Sequence, residues 1–197
     1  MVRVAVDQLG STEPSSSPVP RRFGPVRDAD GRRAPVLYAG EDLACALGET
    51  VFHDLGDDPD RPGAVFRADL LALRAGTIAV TVDCGLADLT DAALAAYGYQ
   101  RDEVVDTSPL EYPITRLWGQ HAWDATICKG LVWNSRRSPD RLSFMLFVNA
   151  PGARGRERAL TRRQHLKVVS PPLPLYDGEG LAAVMVVAAA RNVTVIV

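Results

Sequence analysis

The chain has few cysteines, no long apolar run and almost no net charge, and each scarcity excludes a class of protein. Its three cysteines are odd in number, far apart and outside any CxxC or Cys/His cluster, so neither a disulfide framework nor a zinc site is indicated. The longest apolar run, 181–190, is shorter than the roughly 20 residues that a transmembrane helix requires. A formal net charge of −2 over 197 residues gives no general affinity for nucleic acids or anionic membranes.

Several well-known motifs are also absent. There is no GxGxxG or GxxxxGK[ST] phosphate-binding loop and no GxSxG nucleophile elbow. His53, His121 and His165 do not have metal-ligand spacing. Residues 1–7 lack the long apolar core and cleavage site of a secretory signal. We therefore expect a cytoplasmic protein without a metal or a bound cofactor.

Local patterns predict an α+β fold in one domain that spans residues 1–197. Strands are predicted at 1–7, 35–39, 77–84, 131–135, 141–149 and 165–170, and helices from Gly40 to Leu55, at 90–97 and at 115–129. A turn at Pro139 predicts that 131–135 and 141–149 form an antiparallel hairpin. The run 181–190 fits a strand or a buried helix, and we expect C-terminal strands within 165–197 to complete the fold. Strands and helices alternate too irregularly for a doubly wound sheet.

The helix after Gly40 carries an apolar stripe at intervals of four residues, formed by Leu43, Leu47, Val51 and Leu55. At about 100° per residue, Glu49 lies almost opposite the middle of this stripe. Glu49 is therefore not a core residue of the helix, and its carboxylate either faces solvent or lines a cleft.

Four other polar residues have positions that are unusual for a purely structural role. Arg3 lies on the polar face of the first strand, and Arg22 precedes a rigid Phe-Gly-Pro turn. Tyr38 ends a short apolar strand, and Ser135 ends another one just before two arginines. The basic segment 151–163 fits a nucleic-acid contact or a solvated loop, and the net acidity of the chain favours the loop.

Three stretches, taken together, resemble the RES domain family, which is named for an Arg, Glu and Ser signature. They are Arg-Phe-Gly-Pro at 22–25, PVLYAGEDLACALGE at 35–49 and GLVWNSRR at 130–137. The family has a "GRF", a "vlYla…etAlaE" and a "GlvypSr" element in this order, and the resemblance covers about residues 3–148. The sequence departs from these elements at Arg21, at Gly48 and at Trp133-Asn134, and no departure removes a signature side chain.

The resemblance implies a fold similar to that of ADP-ribosyltransferases, with a split β-sheet core, flanking helices and NAD+ in the cleft. It implies the toxin of a bacterial toxin–antitoxin pair, whose partner is an antitoxin with a helix-turn-helix (Xre-like) domain. Relatives cleave NAD+ by hydrolysis or phosphorolysis, or transfer ADP-ribose to a protein. A non-catalytic module that binds a nucleotide or a partner is the alternative. Whether two copies of the chain pair in the complex is left open.

The chemistry that this resemblance implies assigns a role to each candidate residue. Glu49 would stabilise the oxocarbenium-like transition state at the ribose. Arg3 and Arg22 would bind the pyrophosphate, and Tyr38 would pack on the cationic nicotinamide ring. Ser135 would bind a phosphate or the carboxamide. NAD+ enters this scheme as the substrate, and the acceptor of the ADP-ribose is not specified.

Overall fold

The structure, a computed structural model, describes residues 1–53, 55, 63–125, 127–149 and 159–197. The strands are β1 Val2–Val6, β2 Val36–Gly40, β3 Gly63–Phe66, β4 Leu73–Val80, β5 Ala87–Leu89, β6 Gly130–Asn134, β7 Leu142–Asn149, β8 Leu160–Thr161, β9 Leu166–Val168, β10 Leu173–Pro174 and β11 Val193–Ile196. The helices are α1 Leu43–Gly48, α2 Asp91–Ala96, α3 Arg101–Val104, α4 Tyr112–Asp124, α5 Arg162–His165 and α6 Gly178–Ala189. This mixed content confirms the α+β class.

The main sheet is divided between β1 and β2. Its strand order is β10-β4-β1-β2-β7-β6-β5, with β8 beside β7 and β9 also paired with β4. Strand β1 pairs with β4 along its whole length but meets β2 only at Val2 and Gly40. Strand β2 in turn pairs along its whole length with β7. The two halves therefore join at one end of this strand pair and separate at the other, in agreement with the split core that was expected. The likeness to ADP-ribosyltransferases stays a prediction.

Apolar side chains fill both faces of the half-sheet that contains β2 and β7. Residues alternate between faces along a strand, so Val36 and Tyr38 belong to one cluster while Leu37 and Ala39 belong to another. The first cluster lies against α4 and includes Trp123 of that helix. A third cluster packs α1 against α6, β3, β4 and β11. The hairpin of β6 and β7 is antiparallel, as predicted.

Helix α1 is shorter than the apolar stripe predicts. It ends at Gly48, and Glu49 is its C-cap residue. The carbonyl of Leu47 accepts hydrogen bonds from three successive backbone N–H groups, those of residues 50–52, so the backbone tightens and leaves the helical path. Val51 and Leu55 lie beyond the helix, yet they still pack on the same apolar cluster as Leu47.

The structure decides between the strand and the helix that the sequence left open for 181–190. The strands expected within 165–197 are present at Leu166–Val168, Leu173–Pro174 and Val193–Ile196, but Gly178–Ala189 is a helix. A left-handed backbone at Asn192, with φ of 54°, follows the end of that helix.

Other boundaries differ by a few residues. Strand β4 covers 73–80, whereas the sequence predicts a strand at 77–84. Helix α4 covers 112–124, whereas the sequence predicts a helix at 115–129. Most of the basic segment 151–163 and all of residues 56–62 lie outside the described residues. Among the helices of the described ranges, none combines the length and the apolar character that a membrane crossing requires.

Candidate functional site

A cavity of about 560 Å³ opens where β1 and β2 separate. Both strands line it, together with the loop 15–25, the end of α1 and the start of α4. Four of the five predicted site residues, Arg3, Arg22, Tyr38 and Glu49, contribute to its wall. The volume lies within the range of about 300–1,000 Å³ that is usual for small-molecule and cofactor sites.

The carboxylate of Glu49 is held by the turn that follows β6. Its Oε1 accepts a hydrogen bond of 2.6 Å from Ser135 Oγ and one of 3.0 Å from the backbone N–H of Arg136. Ser135 Oγ itself accepts from the N–H groups of Arg137 and Ser138, each at 3.1 Å. Because both of those contacts are with donors, the hydroxyl proton of Ser135 is directed to Glu49.

Ser135 does not line the cavity. Its side chain is fully buried behind Glu49, so the structure gives it the role of orienting the carboxylate. The predicted contact of Ser135 with a phosphate or a carboxamide stays a prediction. Within the described ranges no group hydrogen-bonds to Oε2 of Glu49, and this oxygen is available to a ligand.

Arg22 is a buried cation whose hydrogen-bonding capacity is mostly unused. Only 6% of the residue is exposed, and its Nε and Nη2 have no hydrogen-bond partner among the described residues. Burial lowers the pKa of this guanidinium below its usual value, and the nearby Glu49 carboxylate offsets part of that shift. The guanidinium also lies 5.9 Å from the ring centre of Tyr112. Unpaired buried N–H groups at a cavity wall are suited to an anionic ligand.

Helix α4 holds the backbone that carries Arg22. Thr115 Oγ1 donates a hydrogen bond of 2.6 Å to the carbonyl oxygen of Arg22. Gly119, one turn further along, permits close approach, because a Cβ at this position would lie only 2.0 Å from the carbonyl oxygen of Phe23. The pairing of α4 with this loop was not predicted, since the two segments are about 93 residues apart.

Tyr38 presents a buried phenol to the same cavity. Its Oη has no hydrogen-bond partner among the described residues, and burial raises its pKa well above the usual value. The ring lies edge-on to Trp133 at 6.5 Å, and Trp133 in turn packs at 4.9 Å on Phe23. Gly24 leaves room for the Tyr38 hydroxyl because it has no Cβ. A Cβ at this position would lie only 2.8 Å from Oη.

Arg3 has a structural role in addition to its place in the cavity wall. Its Nη1 donates to the carbonyl oxygens of Gly10, Ser11 and Glu13. Burial lowers the pKa of Arg3 to about 10, against the attraction of the Glu13 carboxylate. Arg3 therefore fastens the loop that leads to the cavity rim at 15–17. Its predicted contact with a pyrophosphate stays a prediction.

Among the charged side chains of the described cavity wall, cations predominate. Arg3, Arg21 and Arg22 line it, and Glu49 is the carboxylate among the described lining residues. Three further groups of the wall, Tyr112, Trp133 and His53, were not assigned to the site from the sequence. No sequence pattern identifies Tyr112 as a site residue, because it reaches the cavity wall only through the packing of α4. The described residues contain no group of three or more His, Cys, Asp or Glu side chains able to hold a metal ion.

The chain matches the model of a known protein family. The family model for the RES domain matches residues 5–169 of the 197. None of the curated proteins that were compared is significantly similar. Arg22, Tyr38, Glu49 and Ser135 lie inside the matched range, whereas Arg3 lies two residues before it.

Proposed function

The chain belongs to the RES domain family, and we propose that it is a cytoplasmic toxin that cleaves NAD+ between nicotinamide and ribose. Family membership supports a toxin-like protein. The observation that carries the finer proposal is the joint presence in one cavity of a fixed carboxylate, Glu49, and a buried guanidinium, Arg22, whose Nε and Nη2 have no partner among the described residues.

The bond to be broken joins the pyridinium nitrogen of nicotinamide to C1′ of the ribose. Its electron pair leaves with nicotinamide, which departs as a neutral molecule, while positive charge moves onto the ribose ring. The departing group needs no proton, so the site requires an anion near the ribose rather than a general acid. Glu49 provides that anion, and its two hydrogen bonds from the turn after β6 keep it oriented before the reaction.

The remaining groups of the cavity fit the other parts of NAD+. The free Nε–H and Nη2–H of Arg22 form a fork that matches two oxygens of a pyrophosphate. The ring of Tyr38 offers a π face to the nicotinamide cation, and its unpaired hydroxyl offers a hydrogen bond. Arg21 adds a third positive charge to the wall alongside Arg3.

The acceptor decides the product. Water gives ADP-ribose and a proton, phosphate gives the 1″-phosphate of ADP-ribose, and a protein side chain gives an ADP-ribosylated protein. We propose free ADP-ribose or its phosphate as the product, with transfer to a protein as the alternative. Analysis of the products by mass spectrometry, with phosphate present or omitted and with lysate added or omitted, separates the three.

We also propose an antitoxin with a helix-turn-helix domain as the partner. This part of the proposal rests on family membership alone. A small helix-turn-helix protein encoded beside this chain would be co-expressed with it, and the pair would be expected to purify together and to release less nicotinamide than the chain alone.

The test of the proposal compares two Glu→Gln substitutions. Glu49→Gln keeps the shape of the side chain but removes its charge, and nicotinamide release should fall by about a hundredfold or more. Glu179→Gln, on the exposed first turn of α6, should release nicotinamide at the original rate. Calorimetry that finds NAD+ bound but intact over hours, or a Glu49→Gln variant with unchanged turnover, would refute the cleavage mechanism.

A further inference from the structure

The segment after residue 169 lies outside the matched family range but packs directly on the helix that leads to Glu49. Val184 and Ala188 of α6 and Val193 of β11 share an apolar cluster with Ala46 and Leu47 of α1. The C-terminal segment is therefore part of the wall that supports this side of the cavity.

The side chain of Arg191, in this segment, reaches the turn after β6. Its Nη1 donates a hydrogen bond of 2.5 Å to the carbonyl oxygen of Arg137, and its Nη2 donates one of 2.6 Å to Ser138 Oγ. Nη2 also lies 3.5 Å from the carbonyl oxygen of Ala44 in α1. One guanidinium thus connects the C-terminal segment, the turn and α1.

The same turn is held from its other end by Arg101. The Nη2 of Arg101 donates a hydrogen bond of 2.8 Å to the carbonyl oxygen of Ser135. Its Nη1 pairs with Asp91 at 2.8 Å and its Nε with Asp106 at 2.7 Å. The turn that provides both donors to Glu49 is therefore held at residue 135 by Arg101 and at residues 137 and 138 by Arg191.

Gly48 precedes Glu49, and the guanidinium of Arg191 lies close to the space that a side chain at position 48 would occupy. A Cβ at Gly48 would lie 2.8 Å from Arg137 Cβ and 3.0 Å from Arg191 Nη2. Even an alanine at this position would push the turn and the guanidinium away from α1. Gly48 and Arg191 thus permit the turn to approach Glu49 closely.

We propose that Arg191 is a positioning residue for Glu49, so that the C-terminal segment is a required part of the active site. The guanidinium fixes the carbonyl of Arg137 and the hydroxyl of Ser138, and this fixes the N–H groups that hold Ser135 Oγ and Glu49 Oε1. The catalytic consequence rests on the proposed cleavage of NAD+, whereas the geometric consequence does not.

The experiment measures amide exchange and kinetics in the same variants. In Arg191→Met, backbone amide exchange followed residue by residue by NMR should accelerate about tenfold or more at residues 136–138, in protein without ligand. The kcat for nicotinamide release should fall by about tenfold to a hundredfold with KM changed less than about twofold, because the carboxylate is misplaced rather than the binding groups. Arg163→Met, at an exposed arginine of α5, should change neither readout.

Two further variants keep the test decisive if Arg191→Met folds poorly. Arg191→Lys retains the charge and offers one nitrogen in place of the fork, so it should give an intermediate effect on both readouts. Gly48→Ala leaves Arg191 in the chain but displaces it, and should accelerate exchange at the same three amides.

The outcomes separate the two proposals. Unchanged exchange at 136–138 in Arg191→Met, or acceleration spread evenly over α1 and α6, would overturn the positioning role. If the unmodified protein releases no nicotinamide, the proposed function fails, and the exchange data still decide whether Arg191 holds the turn.

Discussion

Ser135 Oγ donates a 2.6 Å hydrogen bond to Glu49 Oε1 and joins two residues that are 86 positions apart. Ser135 follows the end of β6 and Glu49 caps the end of α1, so the bond connects one half of the split sheet to the helix beside the gap. The bond explains how the carboxylate at the C-cap of α1 keeps one orientation toward the cavity.

Replacing Ser135 by alanine should reduce the turnover number more than the affinity. We expect kcat to fall by about tenfold to a hundredfold and KM to stay within about twofold, because Ser135 touches Glu49 and does not line the cavity. The N–H groups of Arg137 and Ser138 also lose their acceptor, at a cost of about 1–3 kcal/mol in the free energy of unfolding. Steady-state kinetics and chemical denaturation measure both, with Ser170→Ala as control. A raised KM with unchanged kcat would instead place Ser135 in contact with NAD+.

Arg22→Met should weaken NAD+ binding while stabilising the protein. The guanidinium is buried, and two of its nitrogens have no hydrogen-bond partner in the part of the chain that the structure describes, so its desolvation is unfavourable in the absence of a ligand. We expect the dissociation constant of NAD+ to rise at least about tenfold, and the free energy of unfolding to rise by about 1 kcal/mol. Calorimetry and denaturation test the pair of effects, and Arg32→Met, at an exposed arginine, should leave both unchanged. A large loss of stability would mean that Arg22 serves the fold.

Tyr38 should make the protein less stable at high pH. Burial raises the pKa of Tyr38, so the folded protein keeps this proton while the unfolded chain releases it near pH 10. The unfolded state then binds fewer protons, and stability decreases as the pH rises above about 10. Tyr38→Phe lacks this contribution. Between about pH 9 and pH 11 its free energy of unfolding should therefore decrease less than that of the unmodified protein. Parallel pH curves for the two proteins would contradict the burial of the phenol.

Gly119→Ala should damage both the fold and the substrate site. A Cβ there would lie 2.0 Å from the Phe23 carbonyl oxygen, and backbone must move to relieve the overlap. We expect a loss of at least about 1–3 kcal/mol in stability, with weaker NAD+ binding because Arg22 moves with Phe23. Gly85→Ala is a suitable control, since the nearest atom to its Cβ is 3.4 Å away. Thermal unfolding and calorimetry on both variants measure the outcome, and equal effects would contradict the tight packing of α4 on the loop.

Part of the fold follows from patterns within short stretches. The alternation over 141–149 and the turn at Pro139 predict the β6–β7 hairpin, because a strand with one buried face specifies its own register. The helix predicted at 90–97 is likewise observed, as α2 at Asp91–Ala96, and Gly98 follows its end with a left-handed backbone. The run 181–190 has no periodicity, so only its packing on α1 and β10 identifies it as helix α6.

The candidate site also combines residues that the sequence identifies with contacts that only the folded chain reveals. Arg22, Tyr38 and Glu49 are recognisable from the residues around them and from the family that these resemble, and all three line one cavity. Local sequence places Glu49 away from the core of its helix, but it contains no information on what meets the carboxylate. The separation of β1 from β2, the bond from Ser135 and the reach of Arg191 join residues far apart in the chain. Such contacts depend on how whole elements pack, and for that reason only the folded chain reveals them.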